Sequence, residues 1–509
     1  MVLPALILTG SALTPQAVAA VARQGRKVAI AAEATARLAA SRAVVERHLA
    51  ENLPVYGLTT GLGPRVTHRL SRDEASAFAR LTVLGRSVAL GPPLAQEVVR
   101  ALMTVRLNGL LAGGAGATPL VAESIAAWLN AGLHPVIPSI GSIGAGDLCL
   151  VAHLGLALIG EGEATLKGER LPAGDAIARA GLTPLVLGPK DGLAICNASA
   201  YSAGQGALAL ADAEDLLALA QIAAALSLEG FRANLSPLDP RVTAARPQPG
   251  QAWAAAGLRA LLAGGLLPQP GAARRVQDPL SLRCVAPVHG SLRAAIDFAR
   301  PALDAELNGA ADNPLVLLED ETIVSTGNFQ TPLLALSFDT LTQAVAQVAA
   351  LSLSRSGKLL LGRLSALPDN LSPRGPSRSG FAPLLKTGEA LLAEIRHLAG
   401  PVPVEPRWAG DGVEDEITNA PLAARKAADA LTRLRLLLAI ELAVAAQAVE
   451  LARPERLGNG AAAALARVRE VVPPLDDDRP LGADVTRLDE ALLANGALLE
   501  AVHGALTRQ

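Results

Sequence analysis

The chain has 509 residues, of which only 2% are aromatic, a formal net charge of −2 and three cysteines. Its scattered basic residues argue against a nucleic-acid partner. Cys149, Cys196 and Cys284 form no CxxC pair, which argues against a disulfide framework or a structural zinc site. No metal site is expected, and a reduced, cytoplasmic compartment fits.

Alanine and leucine dominate, so the expected architecture is mainly α. The start, Met1-Val-Leu-Pro-Ala-Leu-Ile-Leu8, lacks a basic n-region and does not read as a signal peptide. An extended piece over Leu3–Thr9 is expected, then two helices before residue 50, the first opened by Thr14-Pro15. Residues 51–70 read as loop. Helices follow over 72–85, 95–113 and 118–130, and Glu161–Pro184 patterns as a small hairpin with a short helix. Long helices are expected over 200–228, from Ser337 to about Leu361, and over 421–453, where Pro454 stops the last of them. The stretch Leu434–Leu451 is strongly apolar but carries Arg435, Glu441, Gln447 and Glu450, so no membrane span is expected. The tail after Pro473-Pro474 is helical again. This pattern divides into an N-terminal domain (1–200), a central helical bundle (201–460) and a C-terminal tail (461–509).

The chain is organised around Ile140-Gly-Ser-Ile-Gly-Ala-Gly-Asp147, which enters the apolar run 148–159. Three glycines in six residues permit positive φ and close packing, and Asp147 stands where a carboxylate caps a helix. The residues alone allow either a tight turn capping a core helix or a reactive loop. Four other stretches carry candidate chemistry. Tyr56-Gly-Leu-Thr-Thr-Gly-Leu-Gly63 reads as a surface loop with one of the two tyrosines. Asn197 reads equally as a buried, satisfied amide. Gln277-Asp-Pro-Leu-Ser-Leu-Arg283-Cys284 offers a guanidinium. Glu414-Asp-Glu-Ile417 reads equally as a solvated acidic turn before a helix.

Together these motifs, in this order, resemble the histidine/phenylalanine (aromatic amino acid) ammonia-lyase family from about residue 50 to 460. The resemblance implies a fumarase/aspartase-like architecture: a long central helical bundle, a small mixed N-terminal domain, and a homotetramer whose sites each draw on three subunits. The tyrosine of the lid loop, here Tyr56, removes the β-proton, for which the phenolate is the competent form. Asn197 helps hold the substrate amine, Arg283 clamps its carboxylate, and Glu414 lies near the amine. Gln277, Asn313, in Asp312-Asn-Pro-Leu-Val316, and Phe329-Gln330, in Gly327-Asn-Phe-Gln330, fall on substrate-binding segments. The segment 365–381 fits a loop that reaches a neighbouring site.

Three departures bear on the chemistry. The family reads Gly-Ala-Ser-Gly-Asp-Leu where this chain has Gly144-Ala145-Gly146-Asp147-Leu148, and its Ala-Ser-Gly triplet cyclises to the electrophile methylidene-imidazolone (MIO). Either the serine is deleted or Ala145, which has no hydroxyl to lose, stands in its place, and Ser142 is followed by Ile143 instead of glycine, so no MIO is expected and the cofactor expectation is none. Leu280 replaces a tyrosine close to the leaving ammonia. Arg86 replaces a histidine that contacts the substrate ring, and either recognises an anionic substrate tail or pairs with an internal acid. The function expected is a carbon–nitrogen elimination on a small carboxylate substrate without MIO. The alternatives are an inactive homologue acting as a binding or scaffold protein, and a conventional histidine or aromatic amino acid ammonia-lyase.

Overall fold

The computed structural model describes residues 3–403 and 412–507. Helix accounts for 61% of it and strand for 7%, so the fold is mainly α. The chain forms two compact units, each assembled from three segments.

The first unit comprises residues 1–211, 299–338 and 401–425. The expected extended start forms as Leu6–Leu8, paired in parallel with Val28–Ile30, with the helix Pro15–Arg23 between them. Thr14 caps that helix by accepting from the Ala17 N–H at 3.2 Å, with proline at the first helical position. Ser71 and Glu74 form a capping box at the start of Arg72–Arg86. The helix Gln96–Leu111 is buried along its whole length from Val98 onward, including Arg100, Arg106 and Asn108, as its apolar run on every face requires. The expected hairpin forms as Glu163–Leu166 and Glu169–Pro172, extended by Leu133–Pro135 into a three-stranded antiparallel sheet.

One expectation is corrected here. Asp147 occupies the N-cap position of Leu148–Leu158 but makes no side-chain bond to that helix. Its fully buried carboxylate instead accepts from Ser142 Oγ (2.7 Å), the Ser202 N–H (2.8 Å) and Ser202 Oγ (3.1 Å). Ser202 lies in the first turn of Ala200–Phe231, so Asp147 caps this second helix, whose first-turn N–H groups have no intrahelical acceptor.

The second unit comprises residues 212–298, 339–400 and 426–509. In its core Arg355 and Glu441, both without solvent exposure, form a bidentate pair at 2.6 and 2.8 Å. Ser227 (2.7 Å) and Ser352 (2.5 Å) donate to the same carboxylate. The helix Pro332–Leu360 begins five residues before the expected Ser337. It is the one helix among the described residues long and apolar enough to cross a membrane, and 61% of its most apolar window is buried within the protein.

Candidate functional site

The first unit holds a cavity of about 530 Å³ lined by the lid loop, the glycine-rich loop, the end of Asp191–Cys196, the 313–330 segment and residues 413–416. Tyr56, Arg86, Ala145, Asn197, Asn313, Phe329, Gln330 and Glu414 all line it. Gln277, Leu280 and Arg283 do not. They belong to the second unit, where Leu280–Arg283 is a short helix and the Leu280 side chain is 61% exposed.

Backbone bonds between segments far apart in sequence build the floor. Ala145 bridges to Gln330, and the Gly146 N–H donates to the Phe329 carbonyl at 3.0 Å. Gly144 and Gly146 take φ of 87° and 63°, in the left-handed region. A Cβ on Gly144 would collide with the Thr418 hydroxyl, and one on Gly146 would come within 2.9 Å of Asn197 Oδ1. Thr418 Oγ1 donates to the Gly144 carbonyl at 3.0 Å, and Ser199 Oγ to the Phe329 carbonyl at 3.2 Å. Ser199 closes the motif that carries Asn197, without a role of its own in the sequence, and Thr418 lies outside every motif. Thr418 follows Glu414-Asp-Glu-Ile417 directly, the one signal that pointed to it.

Asn197 Nδ2 donates to the Asn313 carbonyl at 3.0 Å, which leaves its oxygen facing the loop. Beneath this pair Arg106 Nη2 joins the Ala194 carbonyl to Asp312 (2.7 Å), and Lys190 donates to the Ala115 and Pro314 carbonyls. This buried ionic layer fixes both asparagines. The Asn313 side-chain oxygen is taken by the Thr326 N–H (2.9 Å) and Ser325 Oγ (3.2 Å), so its role is to shape the wall. Gln330 Nε2 donates to the Glu416 carboxylate, while its buried Oε1 has no partner among the described residues.

The Tyr56 phenol oxygen accepts from the Gly63 N–H at 2.9 Å, which fixes its position at the cavity. Arg86 is half-buried and makes no ion pair among the described residues, so its guanidinium is available to the cavity. Glu414, Asp415 and Glu416 are exposed where they meet the cavity. Burial first, and then the Glu414 charge, pushes the Cys149 thiol up, with Arg86 opposing. Cys149 is thus held as a neutral thiol beside the site.

The residues of the loop do not fit the MIO group. Ala145 presents a methyl, 9% exposed, and is followed directly by Gly146, so the loop has no serine hydroxyl there for dehydration to remove. The nearby Ser142 hydroxyl is committed to Asp147, and the Gly146 amide is committed to Phe329.

Behind the loop lies a second carboxyl. Burial, reinforced by the Asp147 charge, pushes Glu306 up from 4.5 to about 7. The folded protein then keeps a proton that the unfolded chain releases above about pH 4.5. The resulting stabilisation is complete below that value and is lost as pH rises through about 7. Melting temperatures of the wild type and Glu306→Gln should therefore diverge between about pH 5 and 8, the wild type losing more. Parallel profiles would dismiss a buried proton at Glu306.

Residues 13–470 match the family described as aromatic amino acid lyase. The chain is 41% identical over 494 residues to a histidine ammonia-lyase of Symbiobacterium thermophilum, covering 97% of each. It is 42% identical over 504 residues to one of Anaeromyxobacter dehalogenans, covering 97% of this chain and 99% of the relative. Among solved structures it superposes on the ergothioneine-degrading ergothionase of Treponema denticola, in complex with desmethyl-ergothioneine sulfonic acid. The TM-score is 0.92 at 33% identity, over 97% of this chain and 99% of that one. The tyrosine aminomutase of Streptomyces globisporus gives a TM-score of 0.92 at 32% identity, over 99% of each chain. The chain therefore belongs to the aromatic amino acid lyase family.

Proposed function

We propose that this protein is a carbon–nitrogen lyase that eliminates an amine from an amino-acid-derived carboxylate without an MIO group, and that the nitrogen it expels is fully alkylated. The observation that carries this reading is the Ala145 methyl on the cavity floor. A quaternary nitrogen has no lone pair to offer an electrophile, and it departs as a neutral tertiary amine that needs no proton. Neither Ala145 nor Leu280, which the family resemblance sets beside the leaving group, deprives such a substrate of anything it requires. Ergothioneine, named for the Treponema denticola relative, is a betaine of this kind: a histidine with three methyls on its amine and sulfur on its ring.

In the proposed reaction the Tyr56 phenolate takes the β-proton. The C–H electrons form the double bond to the α-carbon, and the C–N pair leaves with the amine. Glu414 and its acidic neighbours favour the cationic nitrogen. Arg86 meets an anionic or sulfur-bearing ring substituent, and Arg283 of a neighbouring subunit clamps the carboxylate. Assembly as a homotetramer and a cytoplasmic location belong to the same proposal.

A second reading, elimination of ammonia from histidine itself, is favoured by the names of the relatives that are 41% and 42% identical. The mass of the peptide spanning Pro138 to Leu148 separates the two. A mass equal to the encoded sequence, with tertiary amine released from ergothioneine or from the trimethyl betaine of histidine, is the expected result. A mass lower by two waters, with ammonia released from histidine, overturns it. An unmodified peptide with no amine released from any of these substrates returns the chain to a binding role.

A further inference from the structure

Away from the catalytic cavity, the first unit carries a second cavity of about 460 Å³ with an unbalanced lining. Arg23, Lys27, Arg100 and Lys167 contribute four cations, and no aspartate or glutamate lines it. Arg23 reaches outward to Glu97 at 2.6 Å, and Lys27 donates to the Asn130 carbonyl. The unusual member is Arg100. Only 4% exposed, it has no carboxylate partner among the described residues. Its Nε donates to the Val21 carbonyl at 2.8 Å, and its Nη1 lies 3.2 Å from the Leu129 carbonyl and 2.9 Å from His134 Nε2. Nη2 has no hydrogen-bond partner among the described residues.

A guanidinium taken out of water without a counter-charge is costly, and folded proteins tolerate it where an anion completes the site. His134 does not supply one. Burial, and then the adjacent Arg100 charge, pulls it down to about 4, so near neutrality it is an uncharged ring. Gln96 brings the N-terminus of the helix Gln96–Leu111 to the same cavity, and that terminus has no side-chain cap. The Gln96 and Glu97 N–H groups have no acceptor within the helix and favour negative charge in the same place. The first-turn Glu97 carboxylate, paired with Arg23, already supplies part of that charge.

We propose that this cavity is a binding site for a small organic anion carrying at least two negative charges, of the phosphomonoester or dicarboxylate type. Arg100 at its base offers an oxyanion the N–H groups of Nη2, its Nε and Nη1 being held by the Val21 and Leu129 carbonyls and His134. Lys27 and Lys167 stand at its exposed rim, where they draw the anion in. The volume exceeds what inorganic phosphate fills, which leaves room for an organic body. The site is independent of the chemistry proposed for the catalytic cavity.

Titration calorimetry of the full chain tests this at constant ionic strength. The probes are inorganic phosphate, glycerol phosphate and succinate, with acetate as the monoanionic control. The expected result is saturable binding of at least one dianion at one equivalent per chain. Acetate should bind about tenfold or more weakly, and Lys27→Gln/Lys167→Gln should lower the dianion affinity about tenfold or more. Both lysines are exposed, so this variant keeps its fold even where Arg100→Met does not. Whether phosphate or succinate binds tighter identifies the headgroup. Arg86→Leu, altered in the catalytic cavity, should leave the binding unchanged. The proposal is overturned if no dianion binds saturably, if the lysine variant binds as the wild type does, or if Arg86→Leu abolishes the binding.

Discussion

Replacing Tyr56 with phenylalanine should lower kcat by a factor of about 10²–10⁴, the span that a positioned proton acceptor contributes, with KM changed little. The geometry gives the reason. The phenol oxygen lines the cavity that holds Ala145 and Asn197, and it receives the Gly63 N–H. No other tyrosine lines that cavity among the described residues. Phenylalanine keeps the ring and its packing and removes only the atom that takes the proton. It also leaves the Gly63 N–H without an acceptor, a defect of the lid and not of the chemistry. A substrate deuterated at the β-carbon separates the two effects. If Tyr56 is the base, the residual activity of the variant carries a larger isotope effect than the wild type. A lid defect alone raises KM and leaves the isotope effect unmoved. Activity retained within a factor of about two would remove Tyr56 from the proposed reaction.

The long helices were legible because their apolar periodicity is local and their ends are punctuated. The expected 200–228 and 421–453 form as Ala200–Phe231 and Ala420–Ala452. A third opens at Pro332, five residues before the expected Ser337, whose hydroxyl bonds back to the Leu334 carbonyl inside that helix. The three-residue strands were mostly invisible, since pairing such as Val28–Ile30 with Leu6–Leu8 rests on partners some twenty residues away. Asp147 was placed correctly at a helix start, but the helix it caps begins at Ala200, and no local pattern carries that choice. The cavity follows the same logic. Single motifs suggested Tyr56, Asn197 and Glu414, and family order grouped them. The bridge from Ala145 to Gln330 and the Thr418 bond to the Gly144 carbonyl, which shape the floor, join residues that only the folded chain brings together.

The largest stability effect should come from the second unit, where Arg355→Met leaves Glu441 without its guanidinium. Both side chains are wholly buried, and the pair is held at 2.6 and 2.8 Å with two serine hydroxyls completing the carboxylate's bonds. Breaking such a pair from one side costs about 3–5 kcal/mol, because the remaining charge stays desolvated. Among the described residues no cation other than Arg355 pairs with Glu441. His289, fully buried with neither ring nitrogen partnered, is held well below its ordinary value first by burial, which the substitution leaves in place. The double variant Arg355→Met/Glu441→Leu removes both charges. It should recover most of the loss, since the interior then has apolar volume in place of an uncompensated ion. Urea unfolding of the single and double variants measures the difference. A single variant as stable as the wild type would mean that solvent or a neighbouring group satisfies Glu441. A double variant no better than the single would assign the loss to packing volume instead of charge. The two serines sharpen that distinction. They donate to Glu441 and to nothing else in the pair, so Ser227→Ala or Ser352→Ala should each cost less than Arg355→Met. The carboxylate keeps its counter-charge in those variants and loses one neutral donor, worth about 1.5–3 kcal/mol to a charged acceptor.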